Sequence, residues 1–468
     1  MKKQHYLLRD AVAIAILGLA LPAGATDKNS DKKETKATVL EKIMVIGDPA
    51  NIEKIPGSAQ MVTKEDIRQQ NYDDINRALR KVPGIYVREE DGFGLFPSIS
   101  LRGVDTTRSS KITIMEDGVM MSPAPYTAPA AYYSPTTGRM NGLEILKGSS
   151  QIKYGPHTTG GVINYLTTPI PITEKAYLKT LGNFDEQRTH AYVGNTFDTS
   201  AGQVGLLVEG YRRQNSGFKK IDETPDFRNG DDTGFDKTDA MIKLSWEPNT
   251  AMYQHVEFKY GISDLDANET YLGLSQADFN ANPIRRYAAS RFDNIKSEQR
   301  QTSLRWSISP TDRMDLITTI YQTNFKRNWY KLQSVGGESL DDVLVDPTTF
   351  ATEYGFLTGT TSPDDALQIR ANNRTYYSQG VQAKIEWDLG FGDTDVQLNT
   401  GLRVHEDEED RFQHQDGYRM DNGELVLTTA AAGGSQTNRV SSASALSLFT
   451  DAEIRNGNWI FTPGVRFE

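Results

Sequence analysis

From Pro171 to its last residue, the chain alternates apolar and polar side chains in runs of about ten residues. In Ile242–Glu247 every second side chain is apolar, and Val381–Asp388 and Asp395–His405 repeat the pattern. Successive side chains of a β-strand point to opposite faces, so each run predicts a strand with one apolar face. Strands of this length are suited to a tilted crossing of a lipid bilayer.

The connections between these runs alternate between tight turns and long polar loops. Pro248-Asn249-Thr250 and Gly390-Phe391-Gly392 are tight, whereas the long loops are predicted at about 214–236, 263–297, 326–376 and 406–440. Transmembrane barrels have short turns at one rim and long loops at the other. No helix is predicted in this region. Roughly eleven strands fit between Lys175 and Glu468, and a bacterial barrel needs an even number. We therefore expect residues 173–468 to form the N-terminal half of a barrel whose C-terminal part is missing.

Residues 49–172 have a mixed pattern. Thr63 is placed to cap one helix, and Asp73–Lys81 predicts a second helix that ends at Val82-Pro83-Gly84. Short strands are predicted at Ile85–Arg88, Ile99–Arg102, Lys111–Met115, Leu143–Lys147 and Gly161–Thr167. The sequence therefore predicts a compact α+β domain ahead of the antiparallel transmembrane β-barrel.

The first 25 residues have the anatomy of a secretory signal peptide. Lys2, Lys3 and Arg9 precede or flank an apolar run, and Ala23-Gly24-Ala25 is a small-residue cleavage site. Residues 26–48 follow as a charged leader that has little to bury and is expected to be disordered. Within the leader, Glu41–Gly47 is a strand-like run. From the residues alone it either pairs with the sheet edge of another protein or forms the first strand of the next domain.

Composition excludes several classes of function. The chain has no cysteine, which excludes disulfides and thiolate metal sites, and its formal charge of -11 argues against nucleic-acid binding. The six histidines are scattered, and no nucleophile has a base beside it in the sequence. We therefore expect no catalytic site, no cofactor, no bound metal and no nucleic-acid partner.

Several spaced motifs resemble the plug domain of TonB-dependent outer-membrane receptors. They are Leu101-Arg102-Gly103-Val104-Asp105, Met115-Glu116-Asp117-Gly118, Leu143–Gly148, Tyr154-Gly155-Pro156 and Gly160–Tyr165. Met120–Tyr126, Glu269–Leu274 with Asn282–Tyr287, and His405–Gly417 are similar to the ferric dicitrate receptor branch of that family. The resemblance implies a barrel of twenty-two strands occluded by the plug, of which about half is present here.

The resemblance also implies partners and a function. The family couples to TonB, with the ExbB and ExbD energising complex, through a box that matches Glu41, Lys42, Ile43, Met44, Val45, Ile46 and Gly47. The implied function is TonB-energised uptake of a ferric chelate, ferric citrate or a related siderophore, through the lipid-embedded barrel of a Gram-negative outer membrane. The alternative is a passive barrel-based surface adhesin or receptor, which would need neither the box nor the plug.

Candidate site residues follow from the same interpretation. The resemblance implies that Arg102 and Lys147 latch the plug to carboxylates of the barrel such as Glu257 or Glu386; the alternative is that they are solvated residues of the lumen. Ligand contacts are predicted at Phe93, Phe96, Tyr126, Arg285 and Arg286, since arginine forks suit an anionic chelate. The acidic run at 89–91 would repel such an anion, which weakens the citrate interpretation or indicates that this loop moves away.

Overall fold

The computed structural model of the chain describes Ile52, Ile55 and residues 57–224 and 233–468. The predicted signal peptide at 1–25 and the leader at 26–48, with Glu41–Gly47, lie outside the described residues. Within the described ranges the chain forms an α+β domain followed by one large antiparallel sheet.

The N-terminal domain is built on a small mixed sheet. Its elements are β1 (Ser58–Thr63), α1 (Lys64–Gln70), α2 (Ile75–Leu79), β2 (Ile85–Val87), β3 (Ile99–Leu101), β4 (Thr113–Glu116), β5 (Val119–Met120), β6 (Gly142–Lys147) and β7 (Val162–Leu166). The main sheet has the order β1-β6-β7-β4-β5, so β1 is an edge strand. The predicted cap is confirmed, because Thr63 and Asp66 form a reciprocal capping box at the start of α1. Ile75, Leu79, Ile99 and Ile145 are buried in the core of this domain.

The second unit is a sheet in which each long strand pairs with the next. Its long strands are β8 (Lys175–Gly182), β9 (Glu186–Thr199), β10 (Gly202–Asn215), β12 (Phe235–Pro248), β13 (Tyr253–Ala267), β15 (Asn294–Thr311), β16 (Met314–Val335), β19 (Arg374–Phe391), β20 (Thr394–Asp421) and β22 (Thr437–Asn456). An eleventh position is filled by β23 (Trp459–Phe461) and β24 (Gly464–Phe467), both paired with β22. The predicted antiparallel sheet of about eleven strands is confirmed within the described ranges.

The face of the sheet that contacts the N-terminal domain is called the inner face here, and the opposite face the outer face. Side chains alternate between them as predicted: along β16, Tyr321 and Phe325 are buried on the inner face, whereas Ile320 and Lys326 are exposed. The outer face carries exposed apolar residues: Leu244, Trp246, Leu304, Trp306, Ile320, Val381, Trp387, Leu402, Val404, Leu446 and Leu448. Three of these are tryptophans near the tight turns, the position of an interfacial aromatic girdle. The outer face is therefore suited to lipid.

The long connections contain more structure than the sequence analysis predicted. They hold β11 (Lys220–Ile221), α3 (Gln276–Ala281), β14 (Arg285–Arg286), β17 (Glu338–Ser339), α4 (Leu340–Val345), α5 (Ala351–Thr358), β18 (Leu367–Ala371) and β21 (Glu424–Thr429). The prediction of no helix was wrong, because Ser275 and Ser339 each cap a helix through the residue three positions later. The predicted loop starts at 326 and 406 were also wrong, because β16 and β20 extend to Val335 and Asp421.

These connections pack around an apolar core of their own. Leu272, Tyr287, Leu332, Val343, Phe356, Leu357, Leu367 and Met420 are buried in it. The loops at this end therefore form an ordered layer above the N-terminal domain. No helix in the described part of the chain is long and apolar enough to cross a membrane.

Leu402→Arg tests the assignment of the outer face. Leu402 is 47% exposed on β20 and lies opposite Ala383 and Leu448, in the middle of the apolar band. We expect a loss of about 2–4 kcal/mol in the free energy of unfolding in lipid vesicles, because an arginine there would face hydrocarbon. Gln379→Arg, at an exposed outer-face position next to Glu406, is the control and should change stability little. Equal effects would contradict the assignment.

Candidate functional site

A tight turn of the N-terminal domain, between β4 and β5, is buried against the inner face. Asp117 and Gly118 have φ angles of 49° and 80°, as a two-residue hairpin turn requires. Lys259 Nζ on β13 lies 2.9 Å from Glu116 Oε1 and 2.7 Å from Asp117 Oδ2. Lys243 Nζ on β12 lies 3.6 Å from the same Asp117 oxygen. The turn therefore pairs two carboxylates of the domain with two ammonium groups of the sheet.

Arg139 of the N-terminal domain extends this network to a third strand. Its Nη2 lies 3.2 Å from Glu116 Oε2, and its Nη1 lies 3.7 Å from Glu209 Oε2 on β10. Glu116 and Glu209 are almost completely buried. We call Glu116, Asp117, Arg139, Glu209, Lys243 and Lys259 the latch. Removing one member of a buried ion pair leaves an uncompensated charge, which costs about 3–5 kcal/mol.

The latch persists in moderately acidic solution. Burial by itself would raise the pKa of Asp117, but Lys243 and Lys259 outweigh burial and hold that pKa well below its usual range. A carboxyl with a lowered pKa stabilises the fold above its unfolded pKa, and this contribution is lost only as the pH falls through the lower folded value. Removing one of the charged side chains should therefore weaken the latch more than mild acid does.

The predicted latch residues lie elsewhere. Arg102 is exposed, and Lys147 Nζ donates to Gln60 Oε1 at 2.9 Å and to the carbonyl oxygen of Pro83, both within the N-terminal domain. Glu257 is 3.8 Å from Arg305, and Glu386 pairs with Lys384, so both carboxylates bind cations of the sheet itself. Among the described residues, neither Arg102 nor Lys147 forms an ion pair with the sheet. These two assignments were wrong, because strand alternation does not show which residues of the domain face the sheet.

A second cluster lies where the N-terminal domain meets β16 and β19, near the long loops. We call it the outer cluster; its cations are Arg108, Arg327, Lys331 and Arg374, and its aromatic residues are Tyr132, Tyr271 and Trp329. The Arg327 guanidinium is 3.7 Å from the centre of the Tyr132 ring, and Lys331 Nζ is 3.8 Å from that of Tyr271. Arg108 lies within 5.8 Å of all three aromatic rings. The rings thus hold Arg108, Arg327 and Lys331 together by cation–π contacts, and Arg374 lies opposite Arg327 on the neighbouring strand.

The outer cluster has more positive charge than its neighbouring carboxylates neutralise. Glu90 binds Arg108 at 2.5 Å, and Glu409 binds Arg374 at 2.9 Å. Buried nitrogen atoms of three arginines have no acceptor among the described residues: Arg108 Nη1, Arg327 Nε and Nη2, and Arg374 Nε. Buried donors are normally satisfied, and guanidinium groups bind anionic oxygens most strongly. The arrangement is therefore suited to an anionic ligand.

Tyr271 covers the outer cluster from the side of the loops. It is 47% exposed, its hydroxyl contacts Arg108, and its ring centre is 4.4 Å from that of Trp329. Buried carboxyl groups anchor the segment that carries it: Asp293 accepts from Thr270 Oγ1 and, at 2.7 Å, from the backbone nitrogen of Leu332. Burial raises the pKa of Asp293 to about 6 and that of the neighbouring Glu269 to about 7.

Three of the predicted ligand residues, Phe93, Phe96 and Tyr126, lie where the N-terminal domain meets the sheet, and each has different neighbours. The Phe93 and Phe96 rings lie 5.1 Å from Phe235 and 5.2 Å from Trp329, so they pack the domain against the sheet, next to the outer cluster. Asp407 Oδ2 accepts from the Tyr126 backbone nitrogen at 2.6 Å. Of these three, Phe96 touches the outer cluster, because the Arg108 guanidinium lies 5.5 Å from the centre of its ring. Phe93 and Tyr126 instead lie beside Arg213 and Arg403.

Arg285 and Arg286 lie on β14, in the loop layer. Arg285 binds Asp222 and Asp278 at 2.8 and 2.7 Å, so its guanidinium is already paired with two carboxylates. Arg286 is 3% exposed and donates to the carbonyl oxygen of Asn268 at 2.7 Å. Arg108 and Arg327 were not predicted from the sequence. Because side chains alternate between the two faces of β16, the sequence could have placed Arg327 on the inner face. Nothing in the sequence indicates that Arg327 lies near Arg108.

Cations recur at one level of the sheet, at positions paired strand by strand. From β9 to β22 the paired positions are Arg188, Arg213, Lys237, Leu265, Ser297, Arg327, Arg374, Arg411 and Arg439. Paired residues share a face, and Arg213 and Arg327 contact the N-terminal domain, so this level lies on the inner face. We call its cationic members the basic belt. The outer cluster takes Arg327 and Arg374 from it.

Asp117→Asn tests the latch. Without the carboxylate charge, Lys243 and Lys259 lose an anionic partner, and we expect about 3–5 kcal/mol less protection of β4 and β7 amides in hydrogen exchange. Arg102→Ala, which removes an exposed cation of the same domain, is the control and should leave protection unchanged. If both variants behave like the unmodified protein, the latch does not hold the domain.

The anchoring of Tyr271 should depend on pH. The ordinary pKa values of Asp293 and Glu269 are 3.8 and 4.5, and burial raises both. Their neutral forms stabilise the loop fully below the ordinary values, and this contribution is lost as the pH rises through the folded values. A fluorophore on Gly273→Cys should therefore report a looser loop at about pH 8 than at about pH 5. Asp293→Asn combined with Glu269→Gln should abolish the difference; an unchanged pH response would refute the assignment.

Comparisons with known proteins agree with the fold. The family TonB-dependent Receptor Plug Domain matches residues 51–162. The vitamin B12 transporter BtuB of Photobacterium profundum is 24% identical over 296 residues, covering 62% of this chain and 45% of that protein. The chain thus spans about half the length of this curated relative.

Solved structures of similar fold were also found. The unliganded ferric citrate transporter FecA superimposes with a TM-score of 0.68 at 18% identity, covering 90% of this chain and 57% of that one. The open form of the ferric-catecholate import receptor Fiu from E. coli K12 gives a TM-score of 0.61 at 14% identity, covering 88% and 59%. The N-terminal domain is thus a plug domain, and the sheet has the fold of these receptors' barrels. Residues 51–162 therefore match the plug domain of TonB-dependent receptors, and the chain as a whole shares the plug-and-barrel fold of the solved receptor structures.

Proposed function

We propose that the receptor takes up an anionic ferric chelate across the outer membrane, energised by TonB, and that a citrate-type chelate is its ligand. The observation that carries the proposal is the outer cluster, where buried guanidinium nitrogens of Arg108, Arg327 and Arg374 have no acceptor among the described residues. Carboxylate oxygens match the fork geometry of guanidinium groups. The ferric citrate transporter and the ferric-catecholate receptor among the similar structures support an iron chelate.

Charge distinguishes this ligand from vitamin B12, the substrate of the relative from Photobacterium profundum. Arg108, Arg327 and Lys331 lie over the Tyr132 and Tyr271 rings. Arg374 is the fourth cation of the cluster, and two carboxylates, Glu90 and Glu409, bind to the four. A chelate with several carboxylates would neutralise the excess charge, whereas a corrinoid offers one phosphate diester and a large apolar surface. The cluster therefore favours the more anionic ligand.

The acidic run at 89–91 does not oppose an anionic ligand. Glu90 is bound to Arg108, and Glu89 is paired with Arg80. Asp91 accepts hydrogen bonds from the backbone nitrogens of Phe93 and Phe96 at 2.6 and 3.0 Å, so its carboxylate organises the turn that follows. Each carboxylate of the run therefore has a local partner, and the run adds little repulsion to the nearby cluster.

The energy for uptake is proposed to enter through Glu41–Gly47. This segment would pair with TonB, which ExbB and ExbD energise, and the nearest described strand after it is β1. Because β1 is an edge strand whose pairing partner in the described part of the plug is β6, a pull on the leader first reaches a strand that is held from one side. We propose that the protein transports its ligand and catalyses no reaction. The alternative, which experiment must test, is a passive barrel that does not transport.

In the proposed cycle, the ligand binds the outer cluster while the latch keeps the plug seated. Tyr271 would move aside as the ligand approaches Arg108 and Arg327, because its ring lies over the neighbouring cations. The bound anion would supply the acceptors that the guanidinium groups lack. Transport then requires the plug to move, which the charged contacts of the latch permit more readily than an apolar core, since water solvates the separated charges.

Arg327→Gln tests the ligand assignment. Losing a charged donor to an anion costs about 1.5–3 kcal/mol, so the affinity for ferric dicitrate at the cell surface should fall about 10–100-fold. Lys326→Gln removes the adjacent cation, which faces outward on the same strand, and serves as the control. Unchanged affinity in Arg327→Gln, with normal binding in the control, would exclude the outer cluster as the ligand site.

A further inference from the structure

The N-terminal part of the plug covers one end of the basic belt. Arg188 Nη1 donates to the carbonyl oxygen of Asn71 at 3.0 Å, just after α1. Arg213 Nη1 lies 3.0 Å from Asp73 Oδ2, and Lys237 Nζ lies 3.5 Å from the carbonyl oxygen of Ser134. Two of the three belt cations on β9, β10 and β12 thus contact the short segment that connects α1 to α2.

A small cavity lies beside Arg188, between α1 and the first strands of the sheet. It encloses about 30 Å³, and Lys64, Arg68, Lys179 and Arg188 contribute to its wall. No carboxylate lines the cavity in the part of the chain that the structure describes. The volume has room for about two water molecules, or for one carboxylate group in their place.

The cations of this cavity repel one another. Burial and the nearby charges of Arg68 and Lys175 lower the pKa of Lys64 to about 8. Arg68 lies over the Tyr177 ring at 4.9 Å, and Lys179 Nζ donates to Asn71 Oδ1 at 2.7 Å, so both have neutral partners here. Glu186 binds Arg188 and Arg213 from outside the cavity, and the more distant Glu209 binds His190. An anion in the cavity would relieve this repulsion.

We propose that the basic belt, where it passes behind α1, is the route by which an anionic ligand passes the plug, and that the cavity is a subsite for one of its carboxylate groups. This proposal rests on the proposed function and adds to it the route that the ligand takes past the plug. Arg327 of the outer cluster and Arg188 of the cavity lie at the same pairing level, with Leu265 and Ser297 between the cations of β12 and β16.

The path is closed at rest and would open from the N-terminus. β1 precedes α1 directly, and a pull that detaches β1 from β6 acts next on α1 and then on Asn71 and Asp73. When the pull displaces Asn71 and Asp73, Arg188, Arg213 and Lys179 would become exposed to the lumen together. The segment that a pull reaches first is therefore also the one that covers the cations, so the pull would create the anion path.

A double substitution on the sheet side, Lys179→Gln with Arg188→Gln, tests the path while leaving the outer cluster intact. We expect the affinity for ferric dicitrate at the cell surface to stay within about twofold, and TonB-dependent uptake to fall about tenfold, because the path loses two of the cavity's four cations. Lys179→Arg with Arg188→Lys keeps both charges and should restore uptake. Arg212→Gln with Lys296→Gln removes two outer-face cations, 45% and 67% exposed, and is the control.

Unchanged uptake in the glutamine double variant would overturn the proposal. A parallel loss of affinity and uptake would also overturn it, because Lys179 and Arg188 would then belong to the site where the ligand first binds. If the unmodified receptor neither binds nor accumulates ferric dicitrate, the proposed function fails, and hydrogen exchange of residues 64–70 with and without citrate then tests the cavity alone. Slower exchange with citrate in the unmodified receptor, but not in the double variant, supports the subsite; no difference refutes it.

Discussion

The inner face of the sheet is polar and charged, and the rest of the structure depends on how the plug satisfies it. Strand alternation that presents leucine and tryptophan to lipid on one face places lysine, arginine and glutamate on the other. A plug with an apolar surface would leave these groups unpaired. The plug instead offers Glu116, Asp117 and Arg139, so the contact is built from charges that water can also solvate.

The basic belt shows how one periodic feature serves two purposes. On β9, β10 and β12 the plug occupies it, through Asn71, Asp73 and Ser134. On β16 and β19 the same level carries arginine nitrogens that lack acceptors among the described residues. The plug thus covers the part of the belt on β9, β10 and β12 and leaves the part on β16 and β19 for a ligand. Attachment and recognition therefore draw on the same set of charges.

The fold was predicted from the sequence more completely than the candidate site. Alternation over about ten residues depends only on burial against lipid, so it predicted the strands, their direction and their number. It failed in the long loops, where Leu272, Val343 and Phe356 form a separate core that a polar composition hides. It also failed for the latch: Arg102 and Arg139 are both plug arginines, and only the seating of the plug decides that Arg139 meets Glu209.

Energised uptake of an anionic ferric chelate can be tested by measuring surface binding and accumulation of radiolabelled ferric dicitrate in the same cells. The comparison is between the receptor and its Ile43→Pro variant, in which a proline breaks strand pairing at the proposed box. We expect unchanged binding and lost accumulation in the variant. Equal accumulation in both, with both receptors present in the outer membrane, would contradict energised uptake.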